Sequence, residues 1–357
     1  MNRDSTASLR RVLRPRGPAL LAVLAAMSLT AASGRTQQLL PKGITPEISA
    51  AIDRGLHFLA RSQGRDGAWR SQGSVGSYPT AMTALAGMAL LGAGSTPTRG
   101  RYFLNVRRAA EFLVRCQDAE GTISAFAEEG RGMYGHGFAT MFLAEVYGME
   151  EDQRRQRQLQ ATLTRAVQLT ARSQSAAGGW LYSPDQNGDE GSVTVTQIQA
   201  LRACSNAGIV VPRETIDRAV GYIRKSANPD GSIRYSVGSG GGGRAPITAA
   251  AVAVLYNAGK YDDPMAEKAL LYSKRTLPVS GGGDGHYFYA QLYLAQALWQ
   301  RGGPDWDEYF KKMAEKLLQI QQRDGSWTGD SVGSTYGTAI ALTILQLPYS
   351  YVPIYQR

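Results

Sequence analysis

The sequence predicts an all-α protein built as a closed double ring of about six helical hairpins, in which outer helices alternate with inner ones. Three observations predict it. A Gln-x-x-Asp-Gly-x-Trp pattern recurs between residues 63 and 327, charged amphipathic stretches alternate with apolar ones, and nearly all charge sits in the first kind of stretch. The glycine of the pattern falls at 67, 121, 178, 231, near 282 and at 325, so the interval stays between about 43 and 57 residues. Self-similarity at such a period marks stacked supersecondary units.

The elements follow in order. Stretch 46–63 ends in Gln63-Gly-Arg-Asp66-Gly67-Ala-Trp69, and the apolar stretch 79–92 follows, with Pro79 at its start and Gly94 just past its end. The second unit pairs 101–117 with 133–149 through Gln117-Asp-Ala-Glu120-Gly121-Thr-Ile123, where Ile replaces Trp. The third pairs 150–174 with 192–208 through Gln174-Ser-Ala-Ala-Gly178-Gly-Trp180, and Gly208 closes it. In the fourth, 213–227 carries Ala219, Tyr222 and Ile223 at helical spacing. It turns at Ala227-Asn-Pro-Asp230-Gly231-Ser-Ile233 into 245–259, which Pro246 opens and Gly259 ends. The fifth pairs 262–277 with 285–300 across a worn copy, Gly281-Gly282-Gly283-Asp284. The sixth pairs 305–322 with 334–347 through Gln321-Gln-Arg-Asp324-Gly325-Ser-Trp327.

Charge decides how the two sets face. The first stretches hold 36 Asp, Glu, Lys and Arg residues, and the second hold only Glu145 and Arg202. The first helices therefore meet water on one face, while the second are covered by protein on nearly every side. A closed ring with an apolar inner layer satisfies both. Glu145 and Arg202 lie 9 and 8 residues beyond His136 and Thr194, so they are expected to pair between neighbouring inner helices.

The flanks read differently. Residues 1–17 are basic and 18–33 are apolar and uncharged, with Ala31 and Ser33 at a plausible cleavage site. That is the shape of a secretory signal, too short for an ordinary membrane span. Residues 1–33 are expected to be a signal peptide that sends the protein to the periplasm or outside, with an uncleaved N-terminal anchor as the alternative. Residues 34–45 read as a linker and 46–347 as the ring. In the tail 348–357, Pro348 stops the last helix, and its three Tyr and Ile354 are expected to dock it on the ring. The net charge of +10 falls to about +6 without the first 33 residues. The basic residues are scattered, which favours contact with anionic surfaces such as a membrane but not nucleic-acid recognition. Cys116 and Cys204 are too few for a disulfide scaffold. The sequence names no protein partner.

The repeat resembles the QW repeats of the terpenoid cyclase and protein prenyltransferase superfamily, over about residues 46–347. The resemblance implies an α/α toroid with an apolar central cavity. It also implies that Gln63 with Trp69, Gln174 with Trp180 and Gln321 with Trp327 brace helix ends, which is a structural role. The chemistry that the resemblance brings does not match. The Asp-x-Asp-Asp acid motif of class II cyclases is missing, and the nearest string is Asp185-Gln-Asn-Gly-Asp189-Glu190. Asp189 and Glu190 there suit a helix N-terminus as well as a cavity. Two Cys and three His on different helix ends make no zinc site, and no cofactor is indicated.

The starts of all inner helices should lie on one face, since each follows an outer helix through one short turn. That face gathers the weak catalytic candidates Asp189, Asp284, His136 and His286 and the binding candidates Tyr134, His136, Tyr287, Tyr289 and Tyr336. Six helix N-termini converging there would favour an anionic group. One reading is a polar mouth over an apolar pocket, and the other is tyrosines filling a collapsed ring. Three functions stay open: a cyclase- or transferase-like protein acting on or binding an isoprenoid or other apolar ligand, a non-catalytic binding or scaffold protein, and a carbohydrate-active toroid enzyme.

Overall fold

The computed structural model describes residues 40–74, 76–125, 128, 130–281 and 286–356. The segment 1–33 expected to be a signal peptide, and Asp284, therefore lie outside the described residues. Among the described residues twelve α-helices run in order: α1 (Pro46–Ser62), α2 (Pro79–Gly92), α3 (Phe103–Arg115), α4 (Gly132–Met149), α5 (Gln153–Arg172), α6 (Gly191–Asn206), α7 (Arg213–Ser226), α8 (Ala245–Asn257), α9 (Pro264–Thr276), α10 (Tyr287–Arg301), α11 (Gly303–Ile320) and α12 (Ser334–Gln346). Pro41–Arg357 form one compact unit.

The even-numbered helices make the inner ring. Each packs on the next, from α2 through α4, α6, α8 and α10 to α12, and α12 packs back on α2. The odd-numbered helices lie outside, over the seams between them. Every residue of α2 is buried, whereas α3 buries only the stripe Val106, Ala109, Ala110, Phe112 and Leu113. The charge partition in the sequence is thus the partition between rings. Three of the six outer helices start at a side-chain cap. Thr45 accepts from the Ile48 N–H ahead of Pro46, and Asp152 and Asp263 cap α5 and α9 in the same way. No described helix is long and apolar enough to cross a membrane.

The repeat motif holds the seams. Trp69, Trp180 and Trp327 are buried, and each indole N–H donates to a carbonyl in the last turn of its own outer helix: Leu59, Thr170 and Leu317. Carbonyls of a last helical turn lack the full set of partners that interior ones have. The indole serves the Thr170 carbonyl and adds to Ser62 at Leu59 and to the Gln321 N–H at Leu317. The glutamine works sideways. The Nε2 of Gln63, Gln117, Gln174 and Gln321 donates to its own turn and also to the next outer helix, at Asn105, Thr162, Thr215 and Ala51. The last of these bonds closes the ring from α11 to α1. The glycine is fixed by the same seam. At Gly67, Gly121, Gly178, Gly231 and Gly325 φ lies between +89° and +102°, and an added Cβ would meet a backbone carbonyl of the next outer helix at 2.4–2.6 Å. Only glycine meets both conditions.

The lower end of the ring is closed by the C-terminal segment. Val352, Ile354 and Tyr355 are buried, Ile354 N–H donates to the Glu145 carboxyl, and the Ile354 carbonyl accepts from Asn257. The expected Glu145–Arg202 pair does not form: Arg202 is exposed on its helix while Glu145 turns inward to the tail. Burial pushes the Glu145 carboxyl up to about 7.

Candidate functional site

The turn after each motif feeds an inner helix, and the first residues of all six inner helices surround one chamber of about 500 Å³. Tyr78, Ala81 and Met82 come from α2 and the residue before it, and Arg131 and Tyr134 from the start of α4. Glu190 and Ser192 come from α6, Arg244, Pro246 and Ile247 from α8, His286 and Tyr289 from α10, and Tyr336 from α12. Tyr182, Tyr235, Asp330, Ser331 and Val332 reach in from the turns. Six tyrosines therefore ring the space, with Met82, Ile247 and Val332 between them.

Four of the sequence candidates meet here: Tyr134, Tyr289, Tyr336 and His286. Three others do not. His136 is fully buried beside the chamber, where its Nδ1 accepts from the Ile123 N–H at 3.0 Å and its Nε2 meets the Thr170 hydroxyl at 3.1 Å. A threonine takes this place in four other turns, where Thr83, Thr194, Thr248 and Thr338 accept from the N–H of Trp69, Trp180, Ile233 and Trp327. His136 is thus a turn anchor, and desolvation holds its imidazole down at about 4, neutral at physiological pH. Tyr287 turns outward, and its hydroxyl donates to the Val279 carbonyl at 2.8 Å. Asp189 accepts from the Val237 N–H at 2.9 Å and anchors the segment leading to α8.

Four of the six inner-helix N-termini are already met by groups of the protein, where the sequence expectation had all six converging on an anion. Glu128 accepts from Thr80 and Ala81 at the start of α2, and Tyr182 and Tyr235 carbonyls accept from Met133 and Gly191. Glu190 caps its own helix α6 through Ser192 and Val193, and Asp330 accepts from Phe288 of α10. The protein itself thus satisfies the starts of four inner helices.

Burial sets the chemistry of the remaining groups. It raises the Tyr134, Tyr289 and Tyr336 phenols well above their usual range, so each is a neutral hydroxyl donor at physiological pH. It also raises Glu190 and Asp330. Tyr182 and Tyr235 hydroxyls lie 3.1 Å apart, and the Arg131 guanidinium sits 5.3 Å over the Tyr182 ring. Two of the three described non-glycine residues at positive φ line the chamber, Tyr78 at 37° and Asp330 at 47°. Such conformations cost about 1–3 kcal/mol each and gather at ligand sites. Among the described residues no group of three His, Cys, Asp or Glu could hold a metal ion.

Below the chamber the lumen is filled rather than open. Tyr293 stands edge-on to Tyr289 with ring centres 4.9 Å apart. Deeper, Gln199 donates to Gln296 and Asn257, tying α6 to α10 and α8 across the axis. Of the two readings, a polar mouth over an apolar pocket and tyrosines filling the ring, each describes a part: an aromatic chamber stands over a layer filled by Tyr293 and Gln199. Sequence reasoning missed Arg131, Tyr182, Tyr235, Arg244 and Asp330 as chamber residues. A signal existed for two of them, since Tyr182 and Tyr235 each lie two positions past the Trp or Ile of their turn.

No protein-family model matches the chain, and no curated protein matches it in sequence. Solved structures do match in fold. The type II terpene cyclase MstE from Scytonema aligns at 17% identity and a TM-score of 0.58, over 86% of this chain and 100% of its own. A variant of that cyclase, in complex with its substrate geranylgeranyl dihydroxybenzoate, aligns at 16% identity and 0.59, over 86% and 98%. An α-1,6-mannanase variant of Salegentibacter sp. in complex with α-1,6-mannotriose aligns at 10% and 0.60, over 84% and 98%. The chain shares the α/α toroid fold with all three, and identities this low carry the fold alone.

Proposed function

We propose that this protein binds an apolar-bodied small molecule of isoprenoid type in the chamber at the upper mouth of the inner ring. The carrying observation is the chamber wall: about 500 Å³ bounded by six tyrosines with Met82, Ile247 and Val332, and a few polar groups among them. Size and lining match those of small-molecule sites. The bound prenyl substrate in a toroid of similar fold supports the same class of ligand. Native mass spectrometry of the purified full chain tests the reading. A hydrocarbon-bodied ligand should be retained by the wild type and lost from Ala81→Phe, which fills the chamber. A wild type that retains none, and binds no added prenyl alcohol, would overturn it.

The alternative of a carbohydrate site is favoured by one observation, the two carboxyls Glu190 and Asp330 in the same aromatic chamber. Paired carboxyls are what glycoside chemistry needs, but Glu190 is 1% exposed and spent on capping α6. Binding of a manno-oligosaccharide in place of the prenyl alcohol would select that reading. The signal-like character of residues 1–33 supports a location outside the cytoplasm. Cell fractionation, with the mature N-terminus sequenced, tests the location.

A further inference from the structure

The geometry points to an anionic head group on the chamber's ligand, clamped at the rim by Arg131 and Arg244 while the apolar body lies against the tyrosine wall. This rests on the binding function proposed above and adds the charge of the ligand to it. Arg131 immediately precedes α4 and Arg244 immediately precedes α8, the two neighbours of α6, and both line the chamber. Neither is drawn into an ion pair among the described residues. Between them stand Tyr182 and Tyr235, whose hydroxyls are 3.1 Å apart. Two phenols sharing one hydrogen bond leave one O–H free to donate. Arg131 sits over the Tyr182 ring at 5.3 Å, which orders its guanidinium without neutralising it. The arc therefore offers two guanidinium forks and a phenol donor, the set that matches carboxylate or phosphate oxygens.

The nearby acids are already engaged by hydrogen bonds within the protein. Glu190 is 1% exposed, and its oxygens accept from the Ser192 N–H, the Ser192 hydroxyl and the Val193 N–H. Asp330 is half-buried and bonded to the Phe288 N–H. Of the chamber's arginines and carboxylates, the two arginines are exposed, Asp330 is half-buried and Glu190 is buried. Further in, Tyr289 lines the chamber from a residue only 7% exposed, with its ring edge-on to Tyr293 at 4.9 Å, and offers the ligand's body an aromatic wall.

Calorimetric titration of the full chain at pH 8 with decanoate, decyl phosphate and decanol tests the inference. The wild type is expected to bind the better of the two anions at least about tenfold more tightly than decanol, the scale of one charge-assisted contact. Arg131→Gln and Arg244→Gln should each erase most of that advantage while weakening decanol binding far less than anion binding. Preference for decanoate or for decyl phosphate identifies the head group. Decanol binding as tightly as both anions would overturn the head-group assignment while leaving the apolar chamber standing. Glutamine variants that keep the full preference for the anion would overturn it equally. Failure of all three ligands to bind would overturn the chamber reading itself.

Discussion

Replacing Gly178 with alanine probes the seam that the repeat motif builds. Gly178 has φ of +97°, and an alanine Cβ there would sit 2.4 Å from the Arg218 carbonyl oxygen on the neighbouring outer helix. Ordinary contact begins at 3.4 Å, so the seam would have to open by 1.0 Å. Opening it would pull on two bonds made by the same turn, Gln174 to the Thr215 carbonyl at 2.9 Å and Arg218 to the Ser175 carbonyl at 2.6 Å. The left-handed backbone costs an alanine about 1–2 kcal/mol, and overpacking adds about 1–3 kcal/mol. The expected loss is therefore roughly 2–5 kcal/mol. Gly221→Ala is the internal control. It lies inside α7 with nothing within 4 Å of the added Cβ, and a helical Gly→Ala change should stabilise by about 0.5–1 kcal/mol. Urea unfolding followed by circular dichroism reads both. The midpoints should move in opposite directions. A Gly178→Ala midpoint at or above that of the wild type would refute the seam argument, since neither strain nor contact would then exist.

Three further outcomes follow from buried groups. Trp180→Ala should cost about 3–5 kcal/mol, because a fully buried indole is lost and the Thr170 carbonyl loses its 2.7 Å donor; Trp180→Phe should cost less, and an unchanged urea midpoint in Trp180→Ala would contradict the bracing role. His136, held down at about 4 from an ordinary 6.5 by desolvation, contributes stability that is complete above pH 6.5 and is lost as pH falls towards 4; His136→Thr, the residue used by four other turns, should fold and lose that acid sensitivity in pH-dependent melting. Glu145 has the opposite sign, since burial raises it from 4.5 to about 7. Its folded form holds the proton more tightly, so its contribution is full below 4.5 and is lost as pH rises through 7. Glu145→Gln keeps an acceptor for the Ile354 N–H and should become the more stable protein at pH 8, with no advantage at pH 4. Equal stability at both pH values would refute that burial.

The sequence by itself determined the ring. Helix and turn are encoded by residues close in the chain: a charge partition that separates outer from inner helices, and a glycine that the turn requires at positive φ. Six copies of that local rule leave little choice but closure, and the inner-helix starts then share a face. What the sequence could not determine is which side chains at those starts look into the lumen. Successive helical residues are about 100° apart, so two positions are about 200° apart. Tyr134 and His136 are such a pair on α4, and Tyr287 and Tyr289 are another on α10; in each pair one residue lines the chamber and the other turns away from it. The same uncertainty undid the pairing of Glu145 with Arg202, which share a depth but not a direction. Rotation of each inner helix is fixed by what packs around it, such as the tail against Glu145 on α4. The chamber's charged rim was harder still to see, because Arg131, Tyr182, Tyr235 and Arg244 come from three successive turns and meet only once the ring has closed.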